Sequence, residues 1–231
     1  MKHTPKSAIY IEAPDALPED TFSDLFASLG EHGVPRHLVQ YAPKTYGFLE
    51  WLIPTSVVLV VTHSYVDGIL KEIGKEHYLS FKKAVSSLYK KCLGRKPEIR
   101  TVIMRGDGKT TKPSHFSGTL SFSYLSPRGY TIKLLFPLDV SADDYARSCQ
   151  EFITLLASHS DAVAAEDPIS REVGRAMQSE TAKYGKKHSL ASIHSSLTFL
   201  VFWDRHSQSF HVVDQSHPEA KSLVSRPLGN T

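Results

Sequence analysis

The chain has 231 residues, enough for one large domain or two small ones with a substantial buried core. Its 41% hydrophobic and 22% charged content excludes an intrinsically disordered chain. Net charge is +3, from 27 basic and 24 acidic residues, which is too mild a balance to name a partner.

Met1–Ala8 is followed by only a short apolar run, Ile9–Ile11, before Glu12, so no secretory h-region is expected there. Ala8–Ala13 is rich in Ile and Tyr and is bounded by Pro5 and Pro14, the signature of a strand. Pro18 then stands near a helix start, with Glu19, Asp20 and Asp24 where the positive end of the helix dipole favours them. Phe22, Leu25, Phe26 and Leu29 form one apolar face, and Gly30, Gly33 and Pro35 stop the helix. His37–Ala42 reads as a second strand, completing a β-α-β opening.

The most apolar run follows. Trp51–Val66 holds no Asp, Glu, Lys or Arg, but its 16 residues include Pro54 and several Ser, Thr and His. That is short of the roughly 20 apolar residues a spanning helix requires, so no transmembrane span is expected. Val58, Val61, Tyr65, Ile69 and Ile73 recur at helical spacing, and the length of that periodicity predicts a buried helix over Trp51–Ile73. The β-branched run Val57–Val61 fits a buried strand as well. After Gly74, Tyr78, Phe81, Val85, Leu88 and Cys92 mark an amphipathic helix with Lys82, Lys83, Lys90 and Lys91 on its other side. Gly94 and Pro97 end it, which places a domain or subdomain boundary near this point.

The second half has a different texture. Ile99–Met104 is a strand candidate and Gly106–Ser114 a polar loop. Arg105-Gly-Asp-Gly-Lys-Thr-Thr lacks the first glycine of a phosphate loop and has no helix after it, so a hairpin or loop turn is expected. Leu120, Phe122 and Tyr124 alternate with serines; after the turn Ser126–Gly129, Tyr130, Ile132, Leu134 and Phe136 alternate again, an antiparallel hairpin. Ser141 and Asp144 form a capping-box variant for a helix carrying Tyr145, Cys149, Phe152 and Leu156. Asp167-Pro168 opens another, with Ile169, Val173 and Ala176 on its apolar side and Gly185 near its end. Leu197–Trp203 and Phe210–Val213 predict a second hairpin, and Leu223–Thr231 has the composition of a loose tail. Cys92 and Cys149, both on apolar helix faces, predict buried free thiols in a reducing compartment.

These elements predict an α+β fold: a β-α-β opening with a helix pair, then antiparallel hairpins with flanking helices. They divide into units 1–93 and 98–231, or merge into one continuous domain.

Three functional readings follow. The strongest local signal is electrostatic: Lys82, Lys83, Lys90, Lys91, Arg95, Lys96, Arg100, Arg105, Lys109 and Lys112 are opposed only by Glu98 and Asp107. This segment carries +8 in a chain of net +3, leaving −5 elsewhere. It fits a solvated helix face or a surface for anionic lipid, nucleic acid or phosphate. Tyr89 and Phe116 are the only nearby aromatics available for stacking on bases. Twelve histidines raise acid–base chemistry, with His188, His194, His206, His211 and His217 near Asp204 and Asp214 in the last quarter. The catalytic candidates are His194, His206, His211, Asp204 and Asp214. No metal-ligand spacing such as HExxH or CxxC is present, and no cofactor motif. His115-Phe-Ser matches one half of the two-histidine phosphoesterase pattern, but His211 is followed by Val-Val and the second half is missing.

No complete catalytic constellation is found, and no motif ties the chain to a family. The leading expectation is a non-enzymatic intracellular interaction protein that associates with a protein partner or with itself through the Tyr46–Leu93 helices. Its expected location is cytoplasmic, or peripheral at a membrane. The basic patch as a binder of anionic lipid or nucleic acid is the first alternative. A hydrolase using the C-terminal histidines is the second.

Overall fold

A computed structural model describes residues 9–30, 36–41, 55–63, 66, 75–100, 103–104, 110–111, 115–161, 167–184, 197–213 and 223–228. The fold is α+β. Strands β1 (Ile9–Pro14), β2 (Arg36–Tyr41), β3 (Val57–Thr62), β6 (Phe116–Leu125), β7 (Thr131–Pro137), β8 (Thr198–Asp204), β9 (Ser209–Val213) and β10 (Ser225–Pro227) form one mixed sheet. Their order is β10-β9-β8-β7-β6-β3-β1-β2. Strands β4 (Ile103–Met104) and β5 (Thr110–Thr111) pair separately, antiparallel, so the Arg105–Thr111 stretch is flanked by a hairpin ladder as expected. The helices are α1 (Ser23–Gly30, after a 3-10 turn at Glu19–Phe22), α2 (Lys75–Cys92), α3 (Ala142–Asp161) and α4 (Pro168–Tyr184).

The β1-α1-β2 opening is present, with β1 and β2 parallel from Ile9 beside Arg36 to Pro14 beside Tyr41. The expected helix over Trp51–Ile73 is not what forms over residues 57–62. Val57–Thr62 is a strand between β1 and β6, antiparallel to the first and parallel to the second. The physical reason is burial on both faces: Val57, Leu59 and Val61 look one way and are at most 1% exposed, while Val60 looks the other way at 4%. A strand buried on both sides carries a continuous apolar run whose period does not declare it, and β-branched side chains fit that pleated surface. Positions Ile69 and Ile73 of the supposed helix lie outside the described residues.

Helices α1 to α4 all contribute to one apolar cluster on a single face of the sheet. It joins Ile11, Leu59, Phe122, Leu134 and Val201 of successive strands to Leu25, Leu88, Phe152 and Ile169 of successive helices. Phe122 sits at its centre, edge-on to Phe81, Phe136 and Tyr145 at centroid distances of 6.3, 5.8 and 6.3 Å. Residues before position 93 and after position 98 share this cluster and this sheet. The opposite face holds a smaller apolar group, Phe116, Leu135, Leu200 and Phe202, beside a polar stripe. There Thr55 and Ser121 share a hydroxyl hydrogen bond of 2.6 Å, and Lys133 stands in register between Ser123 and Leu200.

The expected hairpins form. In the β6–β7 turn Gly129 takes φ 98°, where a side chain is strained, and its N–H donates to Ser126 C=O at 2.9 Å. Both helix starts are capped as the sequence indicates. Ser141 Oγ accepts from Asp144 N–H at 3.0 Å and donates to its carboxylate at 2.8 Å. Asp167 Oδ1 accepts from the N–H groups of Ile169 and Ser170 at 3.0 and 3.1 Å. Cys92 and Cys149 are buried free thiols, and burial raises Cys92 to about 12 and Cys149 well above its ordinary value.

Two expectations for the second half change. Of the strand candidate Ile99–Met104, Ile103–Met104 is a strand and Ile99 is not, since it donates its N–H to Lys91 C=O at 3.0 Å; positions 101 and 102 lie outside the described residues. The loose tail contains β10, whose Ser225, Arg226 and Pro227 pair antiparallel with β9. Arg226 then reaches back to Glu172 of α4, donating from Nη1 and Nη2, and Arg175 donates to the same carboxylate at 2.9 Å. Glu172 is only 3% exposed, so this fork holds the last strand against the helical layer.

Candidate functional site

The exposed face of α2 follows from its buried one. At 100° per residue, placing Phe81, Ala84, Val85, Leu88 and Cys92 against the sheet leaves Leu79, Lys82, Lys83, Ser86 and Lys90 on the opposite arc. Ser86 turns its hydroxyl onto Lys82 C=O at 2.8 Å, which keeps the space between the lysines open. Leu79 is 52% exposed in their midst. Lys91 is the exception in this set. It lies between Asp24 of α1 at 3.6 Å and Glu98 at 3.7 Å, and its side chain is 14% exposed.

The result is an open groove of about 730 Å³ lined by Leu79, Lys82, Lys83, Lys90 and Lys91 of α2 together with Asp24 and Glu98. The helix ends where Gly94 passes Lys90 C=O; a Cβ on Gly94 would come within 3.0 Å of that oxygen. Beyond it, Arg95, Lys96 and Arg100 are all exposed, continuing the positive field outside the groove. Of the ten predicted cations the structure therefore gathers Lys82, Lys83, Lys90 and Lys91 in the groove and sets Arg95, Lys96 and Arg100 after it. Arg105, Lys109 and Lys112 lie outside the described residues. The two aromatics available for base stacking are both engaged. Tyr89 lies 5.2 Å from Tyr145 and its hydroxyl donates to Val140 C=O, while Phe116 is buried against Phe202.

The C-terminal histidines are arranged differently. His194 and Asp214 lie outside the described residues, and His206 is exposed in the β8–β9 turn. Asp204 caps that turn: it accepts from His206 N–H at 3.1 Å, and from Ser207 N–H and hydroxyl at 3.2 and 2.8 Å. Those bonds, against the opposing effect of partial burial, hold its carboxyl below the usual range. His211 Nε2 is 3.1 Å from Ser207 Oγ and 3.8 Å from Asp204, while its Nδ1 faces Ser225 Oγ at 3.4 Å. In a nucleophilic triad the acid and the hydroxyl sit on opposite ring nitrogens. Here Ser207 shares Nε2 with the acid and its proton points to the carboxylate. The opposite nitrogen faces Ser225 at 3.4 Å, and Asp204, at 3.8 Å from the ring, is beyond hydrogen-bond distance.

One polar constellation has no counterpart in the sequence expectations. His159 of α3 lies between Tyr130 and Asp167: its Nδ1 is 2.9 Å from Asp167 Oδ1, and its Nε2 meets the Tyr130 hydroxyl. Nearby, at the ends of β3 and β6, His63 Nδ1 is 3.1 Å from Tyr124 Oη. Burial lowers the His159 pKa, with Asp167 opposing that effect and Arg128 and His63 adding to it. Tyr130 is 0% exposed and His159 8%, so the relay can orient α3, α4 and β7 but offers its atoms to no external molecule. A signal existed: His159 occupies the next place after Leu156 in the stripe Tyr145, Cys149, Phe152, Leu156, where an imidazole must find partners. Half-buried Lys133 is another perturbed group, lowered to about 8 by desolvation against the opposing field of Glu12.

Among the described residues no set of three or more His, Cys, Asp or Glu side chains could hold a metal ion, and no helix is long and apolar enough to cross a membrane. Comparison with known protein families, with curated proteins and with solved structures finds no match to this chain.

Proposed function

We propose that this chain is a non-enzymatic interaction protein whose α2 groove receives an acidic, partly apolar segment of a protein. The observation that carries the reading is Leu79 exposed among Lys82, Lys83 and Lys90 in the lining of a recess. A recess suits a protruding side chain better than a flat bilayer. Asp24 and Glu98 also line the recess and are held by Lys91, which leaves Lys82, Lys83 and Lys90 to meet a segment carrying both carboxylates and an apolar side chain. The engaged rings of Tyr89 and Phe116 weaken a nucleic-acid reading, which depends on stacking. Self-association through a pair of helices in Tyr46–Leu93 takes a narrower form, because Val57–Thr62 is a strand and α2 is the element that presents the surface.

A labelled peptide with leucines spaced among aspartates tests the proposal by fluorescence anisotropy. Binding is expected to weaken with salt and to fall at least ~10-fold in Lys82→Glu/Lys83→Glu/Lys90→Glu. Unchanged binding by that triple variant overturns it. The second reading, anionic lipid or nucleic acid, is favoured by Arg95, Lys96 and Arg100 continuing the positive field past the groove. Phosphatidylserine vesicles or duplex DNA that bind while the peptide does not would transfer the surface to that reading.

A further inference from the structure

The acidic counterpart that the α2 groove calls for is present on the chain itself. Where β7 ends, Leu138 is 55% exposed and is followed by exposed Asp139. One turn on, Asp143 stands exposed at the start of α3, where the positive end of the helix dipole favours a carboxylate. Three large hydrophobic side chains stand out as exposed among the described residues: Leu79, Leu138 and Val224. Two of them sit in fields of opposite sign, Leu79 among lysines and Leu138 among aspartates. Arg147, a turn beyond Asp143, ends the acidic stretch.

We propose that the segment docking in the α2 groove is the Leu138–Asp143 corner of a second copy of this chain. Leu138 packs against Leu79, and Asp139 and Asp143 face Lys82, Lys83 and Lys90. The proposal rests on the docking reading above and names its partner. Both surfaces belong to neighbouring elements of the helical layer, tied where the Tyr89 hydroxyl donates to Val140 C=O at 3.2 Å. A two-fold arrangement can therefore engage groove and corner of each copy at once, the usual closure for a homodimer. Burying two leucines supplies the apolar contact, and the charges fix register and exclude other copies' like-signed surfaces.

Light scattering on a concentration series is the test. Mass is expected to rise from the 25.7 kDa of one chain toward twice that value, and to fall back with added salt. Lys82→Asp/Lys83→Asp and Asp139→Lys/Asp143→Lys should each stay monomeric, because like charges then meet. Mixing the two variants pairs an acidic corner with a basic groove and an acidic groove with a basic corner, so the mixture should regain the dimer mass. Asp144 is left unchanged because it belongs to the Ser141 cap, and circular dichroism confirms that each variant is folded. A wild-type chain that stays monomeric at high concentration, or a mixture that does not associate, overturns the proposal. If the wild type is monomeric yet binds the acidic peptide, only the second copy is lost; if it does neither, the groove reading fails with it.

Discussion

Along α2, Lys82, Lys83 and Lys90 stand in solvent around Leu79, whereas beside α4 the Glu172 carboxylate is 3% exposed and gripped by Arg175 and Arg226. The second arrangement has a structural account. A buried carboxylate left alone is costly, and its two arginines and their hydrogen bonds offset that cost while tying β10 to α4. The first has none, since exposed lysines contribute little to folding and repel one another. Charge that serves the fold is found with its partners in place, whereas the exposed lysines around Leu79 are proposed as a surface for a partner.

Variants should separate the two regions by size of effect. Arg226→Ala is expected to cost about 2–3 kcal/mol in urea unfolding, less than a fully buried pair because Arg226 is 45% exposed and Arg175 remains. A loss no larger than that of Arg175→Ala would show that the fork to β10 is not what stabilises Glu172.

His159→Ala, which removes the imidazole's bonds to the Tyr130 hydroxyl and to Asp167 Oδ1, should cost about 1–3 kcal/mol. The same group gives a pH signature. Its folded pKa is lowered below 6.5, so the unfolded chain takes up the proton first as pH falls. The stability it contributes is full above pH 6.5 and declines below it, and His159→Gln should flatten that part of the urea-midpoint profile. Asp167, held below 3.8 by Ser170 and His159 despite burial, adds a second decline at lower pH.

Ser141→Ala removes one exposed cap and should cost about 1 kcal/mol in thermal unfolding. Smallest of all, Lys82→Glu/Lys83→Glu should change stability by no more than about 0.5 kcal/mol while abolishing association. A large loss of stability in that variant would erase the contrast between the regions.

Much of this architecture was legible in the residues. Ser126–Gly129, Ser141 with Asp144, and Asp167-Pro168 act through local bonds between near neighbours, so their sequence spacing declares them. Val57–Val61 misled because a strand covered on both faces loses its two-residue alternation, and Tyr65, Ile69 and Ile73 continued a helical count past it. β10 escaped notice because three residues including Pro227 carry no period, and the contact that fixes them, Arg226 with Glu172, joins distant positions. The lysines of α2 were readable as a face, since helical spacing sets them there. That Asp24 would join them in the groove lining was not, because it depends on α1 packing across α2. The His159 relay draws one residue each from β7–turn, helix and cap, and no spacing encodes such a meeting.

The order of the sheet also governs how fast the chain can reach it. β6–β7 and β8–β9 close through short turns and can zip within microseconds, as hairpins do. The two longer-range parallel seams are another matter: Val57 must find Leu120, and Thr131 must find Thr198 with α3 and α4 in between. Each seam demands closure of a long loop before any ladder bond rewards it, which places folding in the slow range typical of non-local topologies. Until it pairs with β1 and β6, β3 displays an apolar edge on each side, and the valines that make the best centre of the finished sheet are a hazard on the way to it.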